Sequence, residues 1–360
     1  MKTETHSMKT YSQKQYLLIS IFLFALLISG CSKDSQEVAT SKSAIYFDTP
    51  ITITIYHDKD NLPPDNIFQD VFDLCSHYQN ICDAHTATSE LGMLNNRTLN
   101  YTTQEEIDMY LVSEELYDMV LAGINAHTNY SNQFDITIAP LISLWNFSER
   151  YNLPTAAQIP IPDKEDILET LVNVDSNNLI LCHNEQNNEY FIGFSGNNPN
   201  IAIDLGGLAK GYVADKIKEH LLENDINSAL IDLGGNIYAL GTHLNGDDFT
   251  IGIKKPYSDT GEYSTTVNVT NKCVITSGIY ERYFDNNGTK YHHILSPSTG
   301  YPASCDLLSV SIISDSSLQG DILSTTCLLI GKDLATELVE GLDNTSAIMI
   351  TTDYEVITVS

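Results

Sequence analysis

Asp321 and Thr325 stand four residues apart in the stretch SDSSLQGDILSTTCLLIG, residues 314–331. On a helix that spacing puts a carboxylate and a hydroxyl on one face. Two hard oxygen donors suit Mg²⁺, which usually keeps several waters as well. The same pair also fits an aspartate favouring a helix N-terminus, with the threonine simply packed. A second candidate is IDLGGLAKGYVADKI, residues 203–217. Gly206 and Gly207 permit positive φ or close backbone approach, and a helix starting there points free N–H groups at an anion. The spacing, G-G-x-x-x-G with Lys210 inside, is neither a dinucleotide-binding G-x-G-x-x-G nor a P-loop. On its own it reads as an ordinary strand–turn–helix corner. His293, in HHILSPSTG, can accept a hydroxyl proton as a neutral imidazole, or can serve as a turn histidine bonded to backbone. His292 beside it is expected to be exposed.

The elements that must position these groups are legible in outline. ITITIYH (51–57) alternates like a half-buried strand, and 66–84 and 104–126 carry helical periodicity, with Thr103 placed to cap the second. LILCH and YFIGF read as a hairpin around 184–189. A helix over 208–223 precedes the strands SALIDL and FTIGIKK, and the last third alternates short strands with turns and one helix near 321–331. The proline-bearing segment 153–165 is expected to wrap the surface. There is no repeat and no internal linker. Hairpins mixed with helices argue for an α+β fold, with mixed or antiparallel sheets and packed helices, in one large domain over 45–360.

The chain has 360 residues, 42% of them hydrophobic, enough for a substantial core. Lys2, Lys9 and Lys14 precede an apolar run, Tyr16–Gly30, shorter than the roughly 20 residues a membrane-spanning helix needs. Ile28-Ser29-Gly30-Cys31 then resembles a bacterial lipobox, so residues 1–30 are expected to be a lipoprotein signal peptide and Cys31 the lipidated residue. Residues 31–44 read as a small, polar tether. The protein would then sit, lipid-anchored, on the extracytoplasmic face of a bacterial membrane. Removing residues 1–30 leaves 15 basic and 46 acidic residues, a net charge of −31. Such a surface repels nucleic acid, so nucleic-acid partners are excluded, and a negatively charged substrate needs local cations. The six cysteines after Cys31 form no C-x-x-C pair. Cys75 and Cys82 would lie about 10 Å apart along a helix, too far for a disulfide. Free thiols are expected.

Seven segments in order carry a family resemblance: SELGMLN (89–95), FDITIAPLISLWNF (134–147), IDLGGLAKGYVAD, LIDLGGNIYALG (230–241), TSGIYERYF (276–284), KYHHILSPSTGYPA (290–303) and the 314–331 stretch. Together they resemble the ApbE-like FAD:protein FMN transferases, from about residue 45 to 355. The resemblance implies a T-fold-related domain that cleaves the FAD pyrophosphate, releases AMP and joins FMN to a threonine or serine of a partner protein. It implies Mg²⁺ held by Asp321, Thr325 and the backbone carbonyl of Gly207, with FAD as substrate. Asp204, Lys210, Asn95, Asp135, Thr137, Ser277, Gly278 and Ile294 are implied FAD contacts. His85 falls where relatives carry a variable residue bearing on transfer against hydrolysis. His293 is the implied base, with a titration near pH 6–7. Ser296 and Ser298 depart from the commoner H-I-I-D-P-[RK]-T-G. Trp145, the only tryptophan, reads as core. The chain has no [ST]-G-A-[ST] acceptor sequence, so the partner is expected to be a separate exported protein, related to electron transfer. An FAD pyrophosphatase and a non-catalytic FAD-binding lipoprotein are the alternatives.

Overall fold

Ile51, Ile53 and Ile55 alternate inward along the strand Thr49–Asp58 and are at most 1% exposed, the period-2 burial that a half-covered strand requires. That strand, β2, belongs to an eight-stranded sheet of the computed structural model, which describes residues 37–150, 160–258 and 260–360. The spatial order is β1 (Glu37–Tyr46), β2, β7 (Ala229–Leu233), β8 (Asn236–Leu240), β11 (Lys272–Gly278), β14 (Leu307–Ser314), β15 (Ser346–Thr351) and β16 (Val356–Val359). Every neighbouring pair is antiparallel. A four-stranded sheet runs β3 (Tyr101–Gln104), β4 (Ile107–Val112), β6 (Glu189–Phe194), β5 (Leu179–Asn184). Two hairpins, β9 (Phe249–Lys254) with β10 (Tyr263–Val269) and β12 (Tyr283–Asn286) with β13 (Thr289–His292), complete the strands. The helices are α1 (Ile67–Cys82), α2 (Glu90–Asn95), α3 (Glu114–Asn129), α4 (Ala139–Trp145), α5 (Phe147–Arg150), α6 (Lys164–Leu171), α7 (Ala209–Glu223), α8 (Ser317–Ile330) and α9 (Lys332–Glu340). The fold is α+β.

The central strands are covered on both faces. Cys273 and Ile275 of β11 point into the core shared with α1 and α7, whereas Val274 points the other way, against Phe249, Ile251 and Ile253 of β9. All eight residues of β14 are buried. Double coverage of this kind produces a continuous buried run rather than an alternating one. Trp145 lies wholly in a separate aromatic core with Phe147 and Phe284, its Nε1–H donating to the Gly300 carbonyl at 2.7 Å. The six cysteines from Cys75 onward are free thiols.

Three sequence expectations change here. Residues 37–44 are not tether: they belong to β1, which pairs with β2 through ten registered positions, closed by a turn at Phe47 and Asp48 with φ of 51° and 56°. The remaining tether residues, the signal segment and Cys31 lie outside the described residues, as does 153–159 of the proline-bearing stretch. The expected helix over 104–126 is the β3–β4 hairpin followed by α3. Thr103 does not cap; its hydroxyl donates to Asp108 across the hairpin at 2.8 Å, and Ser113 caps α3 by accepting from Leu116 N–H. The last third carries two helices, since Gly331 (φ 80°) ends α8 and α9 starts at Lys332.

Candidate active site

The two motif helices cross, and each is pinned by the other. Gly211 of α7 donates its N–H to Asp321 Oδ2 at 2.9 Å. A Cβ at Gly211 would stand 2.3 Å from the Ser317 carbonyl oxygen and 2.8 Å from Asp321 Cβ; close helix approach therefore demands glycine here. Asp215, one turn further along α7, accepts from the Ser316 hydroxyl and from the N–H groups of Ser317 and Leu318 at 2.8–3.0 Å. It thus caps α8 from outside, satisfying donors every helix start leaves orphaned and placing a negative charge where the dipole favours it. Asp321 is 4% exposed, with the Lys210 ammonium 3.8 Å from Oδ2. One turn on, Thr325 is half-buried, and its hydroxyl lies 3.1 Å from the Ser277 hydroxyl of β11, which also meets Ser324 at 2.8 Å. Asp321, Thr325, Lys210 and Ser277 are therefore one cluster.

The glycine turn is held from below. Asn95 and Arg97 do this work at the end of α2: the Asn95 amide exchanges two 2.8 Å hydrogen bonds with the backbone of Ile203. Arg97 donates to the carbonyls of Asn198 and Ile201 while lying over the Phe194 ring. Asn95 thus braces the glycine turn through the chain's own backbone. Asp204 N–H donates to the Ile136 carbonyl, and Asp204 Oδ1 accepts from Gly206 N–H at 2.9 Å. Neither Gly206 nor Gly207 adopts positive φ. They are needed for space, since a Cβ would come 2.9 Å from Asp204 Oδ1 at Gly206 and 3.1 Å from the Phe134 ring at Gly207. Burial pushes the Asp204 carboxyl above the usual range, opposed by the Gly206 N–H and by the charges of His85, Lys210 and Arg282. His85 itself is exposed at the rim.

His293 follows β13, half-buried. Both its N–H and its ring Nδ1 meet the Arg282 carbonyl, at 3.0 and 3.1 Å. A carbonyl only accepts, so Nδ1 carries the hydrogen and Nε2 keeps a free lone pair. Burial, then the charge of Arg282, pushes the ring down to about 3. The expected titration near 6–7 is therefore absent in the free protein, where His293 is neutral at pH 7. His292 is buried rather than exposed, donates Nε2–H to the Ala303 carbonyl at 3.0 Å, and is pushed down to about 4 by burial. Ser296 and Ser298 anchor the loop instead of charging it: both hydroxyls reach Gln133 Oε1, at 3.4 and 2.7 Å.

Four other motif residues face elsewhere. Asp135 is inside a closed network, accepting from Thr137 N–H and hydroxyl, from Ser176 N–H and hydroxyl, and lying 3.3 Å from His127 Nδ1. Thr137 is fully buried in it. Ile294 is 8% exposed in the core beneath α8. Gly278 gives room to the Tyr280 ring, which its Cβ would approach to 2.6 Å. The FDIT segment supports the glycine turn through the Phe134 ring and the Ile136 carbonyl.

The ApbE family profile matches residues 47–349. The chain belongs to the ApbE family. The FAD:protein FMN transferase of Klebsiella pneumoniae (strain 342) is 30% identical over 324 residues, covering 90% of this chain and 92% of that one. The enzyme of the same name from Treponema pallidum (strain Nichols) is 28% identical over 346 residues, covering 91% and 89%. The crystal structure of the ApbE protein of Thermotoga maritima superposes with a TM-score of 0.75 at 25% identity, covering 89% of this chain and 97% of that one.

Within this ApbE chain two places could be asked to hold a metal. His127, Asp135 and Asp175 bring ligand atoms within 4.8 Å of one another, but the Asp135 carboxylate is already saturated and Asp175 Oδ1 accepts from Asn177 N–H and Nδ2. That cluster does not fit. At Asp321 only Oδ2 is engaged among the described residues, leaving Oδ1 on a helix that carries the Thr325 hydroxyl one turn further on, a donor set suited to a hard divalent cation. Sequence reasoning missed Arg282, Asp215 and Gly211 as parts of this site. Each lies inside a segment it singled out; Arg282 is one of three arginines in the chain, and a rare cation in so acidic a protein was the available signal.

Proposed function

We propose that this protein transfers FMN from FAD to a threonine or serine hydroxyl of a partner protein, releasing AMP in a Mg²⁺-dependent reaction. The observation that supports this most is the gathering of Lys210 and Arg282 around Asp204 and His293, next to the unsaturated Asp321, in a chain of net charge −29. Local cations in an acidic protein mark where a polyanion such as a pyrophosphate is received. Mg²⁺ at Asp321, Thr325 and the Gly207 carbonyl would neutralise charge on the pyrophosphate.

The chain's own groups supply the rest. Lys210 and Arg282 offset phosphate charge, and Ser277 holds Thr325 in place. His293, oriented through Nδ1, offers Nε2 to the acceptor hydroxyl. The hydroxyl oxygen bonds to the FMN phosphorus, the bond from that phosphorus to the bridging oxygen breaks, AMP leaves with that oxygen, and the hydroxyl proton passes to His293. The acceptor is a separate exported protein with a [ST]-G-A-[ST] type sequence, related to electron transfer, and the enzyme is tethered beside it through lipid on Cys31, outside the cytoplasm.

Incubating the protein with FAD and Mg²⁺, with and without an acceptor domain, tests this reading. Acceptor-dependent AMP release and flavin that stays on the acceptor after denaturation are expected. AMP release indifferent to the acceptor would make the protein a pyrophosphatase, and none at all would make it a binder.

A further inference from the structure

Asn236 opens β8, is 2% exposed, and neither its Oδ1 nor its Nδ2 has a hydrogen-bonding partner. Among the described residues it is the one buried side-chain amide with neither end paired. Leaving an amide so is costly, and buried polar groups are ordinarily satisfied. Something outside the chain must complete it.

Its position says what. Asn236, Tyr238 and Leu240 alternate onto one face of β8, and the last two enter the core with α7. Asn236 pairs with Ile275 of β11. Two residues along the same face of β11 is Ser277, whose hydroxyl meets Thr325 and Ser324. The amide is therefore a diagonal neighbour of the residue under Thr325, on the sheet face that the α7–α8 crossing covers. The turn before it, Gly234 and Gly235 with φ of 65° and 93°, is exposed, and a Cβ on Gly235 would meet open space. The strand end thus opens toward solvent while the amide itself is sealed from it.

We propose that Asn236 is a further ligand-contacting residue of this site, a proposal that rests on the transferase reading above. Waters on a divalent cation only donate hydrogen bonds, and phosphate oxygens only accept them. An amide can meet both, accepting through Oδ1 and donating through Nδ2. A carboxylate could do only the first and would add a negative charge beside Asp321.

Binding of FAD, with and without Mg²⁺, is followed by calorimetry in wild type and in Asn236→Ala, Asn236→Ser and Asn236→Asp, with thermal melting of each free and loaded. Asn236→Ala removes an unpaired amide, so its ligand-free melting temperature should equal or exceed that of wild type. Its Mg²⁺-dependent FAD affinity should fall about 10- to 100-fold, the scale of one or two hydrogen bonds to charged groups, and its ligand-induced rise in melting temperature should shrink. Asn236→Asp should bind no better than Asn236→Ala, and Asn236→Ser should fall between that variant and wild type. Wild-type affinity in Asn236→Ala overturns the proposal, as does a lowered free melting temperature with affinity kept, the mark of an amide satisfied by structural water. Wild type that binds no FAD with Mg²⁺ overturns the transferase reading itself.

Discussion

Asp135 and Asp321 are both buried, both in motif segments, and each lies near a nitrogen-bearing side chain, His127 or Lys210, yet they have opposite relations to their surroundings. Asp135 takes four hydrogen bonds from Thr137 and Ser176 and has His127 at its second oxygen. Its acceptor capacity is consumed by the chain that it holds together. Asp321 takes one N–H, from Gly211, with Lys210 at a looser 3.8 Å. The difference teaches that burial of a carboxylate says little about its role. What separates a brace from a binding group is the acceptor capacity left after the protein has been served.

The widest separation between the two should come from activity. Asp321→Ala should lower Mg²⁺-dependent AMP release by at least about 10³-fold, since a cation neutralising developing charge is worth several kcal/mol. Its melting temperature should move little, and steady-state rates at saturating Mg²⁺ measure the loss. Asp135→Ala should show the reverse. Stripping that carboxylate leaves buried Ser176 and Thr137 donors unpaired and should cost about 3 kcal/mol in denaturant unfolding, while the folded fraction keeps its rate.

Two smaller effects concern the histidine pair. His292 is held well below its ordinary value, at about 4, by burial. A depressed folded-state value means stability that is complete above pH 6.5 and lost as pH falls toward 4, on the order of 3 kcal/mol in the limit. His292→Gln retains a donor for the Ala303 carbonyl without titrating, so unfolding measured between pH 7 and 4 should lose much of its acid limb. His293 lies lower, at about 3, with Arg282 contributing. Its ring resonances should therefore not titrate between pH 5 and 8 in the free protein. Arg282→Gln removes a nearby positive charge and should shift the ring upward, the smallest of these effects.

The parts of this contrast were unevenly visible in the sequence. Helices α1, α7 and α8 were legible because apolar periodicity and polar punctuation agree there. The β1–β2 and β3–β4 hairpins were not: their turns put Phe47, Asp48, Glu105 and Glu106 at positive φ, where Asn and Gly are the usual signals. Hairpin β12–β13, by contrast, turns on Asn287 and Gly288 at φ of 55° and 84° and carries its signal openly. At the site, residue types and helical spacing put Asp321 beside Thr325. Nothing local could show that Asp135 would be saturated by Ser176, 41 positions away, or that Asp215 caps a helix about a hundred residues on. Those facts belong to tertiary packing.

The most direct test asks which carboxylate holds the cation. Mn²⁺, as a paramagnetic stand-in for Mg²⁺, is titrated into wild type, Asp321→Ala and Asp135→Ala in the presence of FAD, and bound metal is read by electron paramagnetic resonance. One bound ion is expected in wild type and in folded Asp135→Ala, and none at the same concentrations in Asp321→Ala. An ion retained by Asp321→Ala and lost from Asp135→Ala would place the metal in the His127–Asp135–Asp175 cluster and contradict the assignment of the α7–α8 crossing as the reacting site.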